Sequence, residues 1–226
     1  MGAMESEPRP FPEDWQRAAV VVAHPDDVEY GLAAAVARWT RSGRSVSYVL
    51  ASSGEAGIQG MAPEVAGPLR EEEQRRSSAV VGVHDLHFLG FPDSALRNEV
   101  GLRSAVLEAV ERIAPDVVVV GYYGPAWGPG EPNQSDHVEL GHAVAEALAV
   151  SGLPLYEQDL AGELVVDVED HVEAAVAALA EHRVYLEVLD PTTPVLEQAR
   201  VQVERSCPPE QVLGGRRGVR LSRVAD

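Results

Sequence analysis

The segment His24-Pro25-Asp26-Asp27 sets an imidazole and two adjacent carboxylates directly after the apolar run Ala18 to Ala23. Neighbouring carboxylates repel each other, and bringing them close to an apolar strand costs more still. The arrangement calls for a positive charge. A second pair, Asp136-His137, stands far downstream. Imidazole and carboxylate are ordinary zinc ligands, and a catalytic zinc keeps three protein ligands and an open position for water. Zinc held by His24, one of the two carboxylates and His137 would relieve the repulsion. The remaining carboxylate could then act as general base. The same two-histidine, one-carboxylate set also suits iron(II) or another divalent ion. The competing reading makes His24 to Asp27 a turn that caps the next helix, and Asp136 an N-cap. That reading serves a bare Asp-Asp pair better than four such residues following a strand.

Positioning these groups requires a regular scaffold. Strands are expected at 18–24, 45–55, 86–93, 116–124 and 162–170, from their apolar runs. Helices are expected at 28–43, 67–83, 100–115, 135–152 and 171–189. The tail after Asp190 reads as one short helix and a final strand. Strands alternating with helices imply an α/β fold with a mostly parallel sheet and helices on both faces. In such sheets ligands bind beyond the carboxyl ends of the strands. The polar residues gather there: His24 to Asp27, Ser52 to Glu55, Asp93, Tyr122 to Trp127, and Gln134 to His137.

The chain of 226 residues suits one substantial core, and the expected organisation is a lead-in at 1–15 followed by a single domain at 16–226. The opening Met-Gly-Ala-Met reads as a cloning remnant at 1–3. A formal net charge of -18 argues against nucleic acid or an anionic membrane surface as partner. The lone Cys207 allows no intrachain disulfide and fits a reducing cytoplasm. No apolar run is long enough to span a bilayer, and the acidic N-terminus lacks the apolar stretch of a signal peptide. An acidic surface leaves a symmetric homo-oligomer open.

Five ordered motifs resemble the PIG-L / LmbE-like zinc-dependent N-deacetylases. They are AHPDD at Ala23 to Asp27, SSGEAG at Ser52 to Gly57, REEE at Arg70 to Glu73, LGFPD at Leu89 to Asp93 and SDHVELG at Ser135 to Gly141. The resemblance implies a Rossmann-like sheet and a small-molecule N-acylated substrate, usually N-acetyl on an amino sugar such as N-acetylglucosamine. It implies His24, Asp27 and His137 as zinc ligands and Asp26 as the general base toward the attacking water. Arg70 and Asp93 fall at positions associated with the substrate pocket. Asp136 could hold a ligand histidine in one tautomer. Where many members carry a histidine, this chain has Gln134, which can donate to an oxyanion but cannot shuttle a proton.

Two other functions are compatible with the metal motif: a zinc amidase acting on a thiol conjugate or natural-product intermediate, and a non-catalytic zinc-binding homologue. Gly54, Gly57 and Gly60 lack both the P-loop lysine and the dinucleotide spacing, so no nucleotide cofactor is expected. Glu55 either braces the rim or contacts substrate. Tyr122, Tyr123 and Trp127 either pack their loop or stack on a sugar face. His84 and His87 read as exposed or core-edge residues, His142 as structural or supporting, and His182 is left without a role.

Overall fold

Valine-rich segments that send alternate side chains to opposite sides are stable only inside a sheet covered on both faces. The computed structural model describes residues 7–128 and 130–224, and the remnant expected at 1–3 lies outside them. Its first half runs β1 (Arg9–Pro10), β2 (Arg17–Val22), α1 (Asp27–Gly31), α2 (Ala33–Arg41), β3 (Ser45–Leu50) and α3 (Pro63–Val80). Then come β4 (Asp85–Phe88), α4 (Val100–Ile113), β5 (Val117–Val120) and the hairpin of β6 (Ala126–Gly128) and β7 (Glu131–Pro132). The rest is α5 (Ser135–Leu148), β8 (Leu155–Gln158), β9 (Leu164–Asp167), α6 (Val172–Leu179), α7 (Arg183–Leu189), α8 (Val195–Ser206) and β10 (Gly218–Arg223).

Eight strands form one sheet in the order β1-β9-β10-β8-β5-β2-β3-β4. The five from β8 to β4 are parallel, and β10 is inserted antiparallel between β8 and β9. Val20 and Val22 enter a core shared with α1, α2, α6 and α8, whereas Ala19 and Val21 enter the core under α4 and α5. The expected α/β architecture with helices on both faces is therefore present. The chain leaves β2 for β3 on one side and later returns to β5 on the other, so β2 stands where the strand order reverses, the usual place for a ligand crevice.

Three expectations are corrected. The lead-in was read as lying outside the domain, yet Arg9–Pro10 pairs in parallel with β9 and Phe11 and Trp15 are buried. Phe11 meets Tyr156 edge-on at 4.8 Å and Trp15 meets Trp39 at 5.3 Å, so burial of aromatic surface fixes the segment. Helix 171–189 is broken into α6 and α7, because His182 is buried at the turn and Glu73 accepts the Val184 amide at 2.7 Å. Strand β8 was not expected at all. Phe11→Ala should cost about 3–5 kcal/mol by loss of burial and the cavity left behind. Urea unfolding checks this; a change under about 1 kcal/mol would return the segment to the surface.

Candidate metal centre and active site

Strand β2 ends by folding its own carboxylate back. Asp27 Oδ2 accepts the amides of Ala23 at 3.1 Å and His24 at 2.8 Å, which leaves Oδ1 facing out of the turn. Asp26 caps α1 with φ of 87°, a left-handed conformation uncommon outside glycine that tends to persist at functional sites. Two groups of α3 hold it there. Gln74 Oε1 accepts the Asp26 amide at 2.8 Å, and Arg70 Nη2 donates to Asp26 Oδ1 at 3.1 Å and to Pro25 O at 2.6 Å. Gln74 Nε2 and Ser77 Oγ in turn donate to the buried Glu29, which anchors α3 on α1.

The loop after β3 exists to admit Arg70. A Cβ at Gly54 or Gly57 would collide with the guanidinium, and Arg70 Nη1 donates to Gly54 O at 2.9 Å. Gly54 also has φ of +64°, so the motif glycines are required by space and by backbone. Asp93 and Glu55 tie this loop to the one after β4: Asp93 Oδ2 accepts the Ala56 amide and Glu55 Oε1 accepts the Asp93 amide, each at 2.8 Å. Glu55 thus braces the rim.

The two motifs meet at the rim. His24 Nδ1 lies 3.6 Å from Asp27 Oδ2, and His137 Nε2 lies 3.2 Å from Asp27 Oδ1. The donor atoms of His24, Asp27 and His137 are all within 4.8 Å of one another. His24 Nε2 faces the opposite way, 3.2 Å from Asp93 Oδ1 and 3.4 Å from Asp136 Oδ2. A second trio, His24, Asp93 and Asp136, has the same compactness. There Ala56 and Leu96 donate to the carboxylate oxygens that do not face His24, as Ala23 and His24 donate to Asp27.

Asn133 stands just before Gln134, the N-cap of α5. Its Oδ1 is 3.0 Å from His137 Nδ1, and its Nδ2 donates to Tyr122 O and Gly124 O. A proton on Nδ1 bonded to Asn133 leaves a bare lone pair on Nε2. His137 Nε2 is buried and makes no hydrogen bond despite its closeness to Asp27. An orphaned acceptor beside a carboxylate fits a cation between them, so the residues present suit a metal ion.

The electrostatics agree. Burial pushes the His24 imidazole down, but Asp136, Asp27 and Asp93 outweigh it and raise it to about 12. Burial lowers His137 too, and Asp27 more than reverses the shift. Asp27 is driven up by burial, yet His137 and His24 hold it well below the usual carboxylate range. Burial raises Asp26 to about 6, with Arg70 pulling the other way. The cluster draws positive charge from whatever source is at hand.

Beside the cluster lies a cavity of about 530 Å³ lined by His24, Asp26, Asp27, Arg70, Asp93 and His137, among others. Gln134 lines it from the N-cap of α5. Asp136 does not; it is buried behind His24. Tyr185 of α7, unnoticed in the sequence, packs on the Arg70 guanidinium at 4.5 Å and also lines the cavity. Tyr122 and Trp127 line it as a ring pair 4.6 Å apart, whereas Tyr123 packs against His142 at 5.4 Å beneath the rim. His87 pairs with Asp85, and His182 is buried 3.5 Å from Glu29, away from the cavity lining.

The sequence model of the GlcNAc-PI de-N-acetylase family, PIG-L, matches residues 19–148, more than half of the chain. The chain belongs to the PIG-L family. Among its relatives, a Bacillus anthracis protein named probable N-acetyl-α-D-glucosaminyl L-malate deacetylase 2 is 34% identical over 137 residues, 58% of each chain. The diacetylchitobiose deacetylase of Thermococcus kodakarensis is 29% identical over 178 residues, 77% of this chain and 63% of that one. The chain thus spans about three fifths of the length of these curated relatives. The structure of N,N'-diacetylchitobiose deacetylase from Pyrococcus horikoshii superimposes with a TM-score of 0.76 over 94% of this chain and 85% of that one, at 19% identity. That likeness establishes the shared PIG-L fold. No helix among the described residues is long and apolar enough to cross a membrane.

Proposed function

We propose that this PIG-L protein is a zinc-dependent N-deacetylase that removes the acetyl group from an N-acetylated amino-sugar substrate. The observation that carries the reading is the orphaned, buried Nε2 of His137, set 3.2 Å from Asp27 and sharing a cavity with Asp26. Relatives named as deacetylases of N-acetylglucosaminyl malate and diacetylchitobiose support the reaction class. His24, Asp27 and His137 would hold the zinc ion, which when bound would supply Lewis acidity toward the amide carbonyl and lower the pKa of adjacent water.

The protein's own groups do the rest. Asp136 and Asp93 receive the Nε2 proton of His24 and so present Nδ1 toward Asp27. Asp26 takes the proton from the attacking water and returns it to the leaving nitrogen. Arg70 fixes the Asp26 carboxylate and keeps it ionised near neutral pH. The Gln134 amide donates to the carbonyl oxygen as negative charge builds there. Because Gln134 carries no exchangeable acid, both proton transfers fall to Asp26.

Metal content of the purified protein, read beside release of free amine from N-acetylglucosamine derivatives, tests this. About one zinc per chain with amine release is expected for a single three-ligand site. Metal without amine from any N-acetylated sugar would favour another acyl substrate. Absence of binding after zinc is added back would end the reading.

A further inference from the structure

Helix α3 turns a polar face inward. Apart from Ala66 and Gly67, each of its buried residues is charged or polar. Arg70, Gln74 and Ser77 share one stripe of that face at helical spacing, i, i+4 and i+7. Buried polar groups gain little by leaving water and are costly when left unpaired. What a hydrogen-bonded set of them supplies is a fixed geometry.

Gln74 is 0% exposed, and both ends of its amide are engaged. Nε2 donates to the two Glu29 oxygens at 3.0 and 3.3 Å, and Ser77 Oγ donates to Glu29 Oε1 at 2.8 Å. At the other end Oε1 accepts the Asp26 amide at 2.8 Å. The polarity of this bridge is set. Turned about, the amide would put its oxygen against the Glu29 carboxylate and its NH2 group against the Asp26 N–H. Glu29 thereby dictates that Gln74 presents an acceptor to Asp26.

Asp26 needs that acceptor. As the N-cap of α1 its N–H has no partner inside the helix. Its φ of 87° is a conformation that persists only where the surroundings over-determine it. Arg70 holds the side chain and Gln74 holds the backbone, from positions one helical turn apart. Glu29, Gln74 and Ser77 are all absent from the described cavity lining, so they act on the site through Asp26.

We propose that Gln74 is a positioning residue for hydrolysis: it locks the left-handed backbone of Asp26 so that the carboxylate stays aimed at the attacking water, and Glu29 fixes the amide polarity on which the lock depends. The inference rests on the reading of Asp26 as general base. The lock itself is measurable without turnover.

In the zinc-loaded protein, Gln74→Leu should lower kcat about 10–100-fold, the range for losing an outer partner or misplacing a reacting group slightly, while KM moves less than about threefold. Zinc should stay bound, because Asp27 is held by the Ala23 and His24 amides and not by Gln74. Gln74→Glu sets two buried carboxylates against each other and should lose at least as much. Adding Glu29→Gln exchanges the pair and restores donor against acceptor at both ends. The double variant should recover kcat to within about fivefold of wild type, with each rate read on the alkaline plateau of its pH profile. A merely structural loss would not be rescued in this way, and the rescue carries the test should Gln74→Leu fold poorly. Amide hydrogen exchange followed by NMR reads the lock directly. The Asp26 amide should exchange about tenfold or more faster in Gln74→Leu, while the Ala23 and His24 amides keep their protection. Wild-type kcat in Gln74→Leu, no recovery in the double variant, or unaltered exchange at Asp26 would overturn the proposal. If the wild type hydrolyses nothing, the deacetylase reading fails, and the exchange rates still decide for or against the lock.

Discussion

Asp26→Asn is expected to lower kcat by about 10²–10⁴-fold, the usual contribution of a positioned general base. At 1.36 kcal/mol per tenfold this is about 3–5 kcal/mol of transition-state stabilisation. Asparagine is the informative replacement because it tolerates the left-handed backbone that Asp26 adopts at φ of 87°. Its side-chain oxygen can still accept from Arg70, so the guanidinium, buried and bonded also to Pro25 O and Gly54 O, keeps the three acceptors it has in the wild type. Metal content should stay at the wild-type level, since Asp26 does not belong to the His24, Asp27 and His137 trio. A variant that retains metal and more than about a tenth of wild-type kcat would remove Asp26 from the role of base.

The pH profile gives an independent reading of the same residue. Asp26 must be ionised to accept a proton. Burial raises it to about 6 and Arg70 opposes that rise. A cation in the neighbouring trio adds positive charge and lowers it further. The acid limb of kcat/KM should therefore fall at or below about pH 6, with activity lost as pH drops through it and Asp26 gains its proton. An acid limb well above pH 7 would point to a different base.

What could be seen in the sequence followed from local constraint. Four β-branched or small apolar residues running into His24 to Asp27 can only end a buried strand at a polar rim, and so they do. The parallel pairing of β2, β3, β4 and β5 was legible as a mostly parallel sheet, because strand-like runs such as β2 and β5 alternate with helices. Strand β8 was not. Leu155 to Gln158 is short and follows Pro154, and its partners β5 and β10 are distant in the chain, so nothing local announces it. Phe11 and Trp15 were hidden for the converse reason: a proline-rich, acidic setting masks two rings whose burial depends on Trp39 and Tyr156. The roles of Gly54 and Gly57 emerge only when Arg70 arrives from α3. Asn133 had one available signal, its spacing four residues before His137, which places it beside the imidazole at the start of α5. Tyr185 had none, since a helix break at His182 redirects α7 toward Arg70.

His137→Ala should abolish stoichiometric metal binding and with it activity. His137 brings the one imidazole nitrogen of the cluster that is buried and has no hydrogen bond. Its removal leaves His24 and Asp27 as the trio's remaining donors, and His24 is simultaneously held by Asp93 and Asp136 on its other nitrogen. Asn133→Leu separates the ligand from its support. The imidazole stays, but its Nδ1 partner and the clamp on Tyr122 O and Gly124 O are gone. Loss of such an outer partner costs about 10–100-fold in metal affinity, which defines the graded result between wild type and His137→Ala. Competition with a chelator of known affinity would measure both variants without reference to any substrate. Should His137→Ala keep its metal at wild-type affinity, the ion would have to sit in the other trio, His24, Asp93 and Asp136. Asp26 would then face a cation from the wrong side of His24. Should Asn133→Leu alone match the loss in His137→Ala, the tautomer of His137 would be what makes the site, and the carboxylate chemistry of Asp27 would be secondary to it.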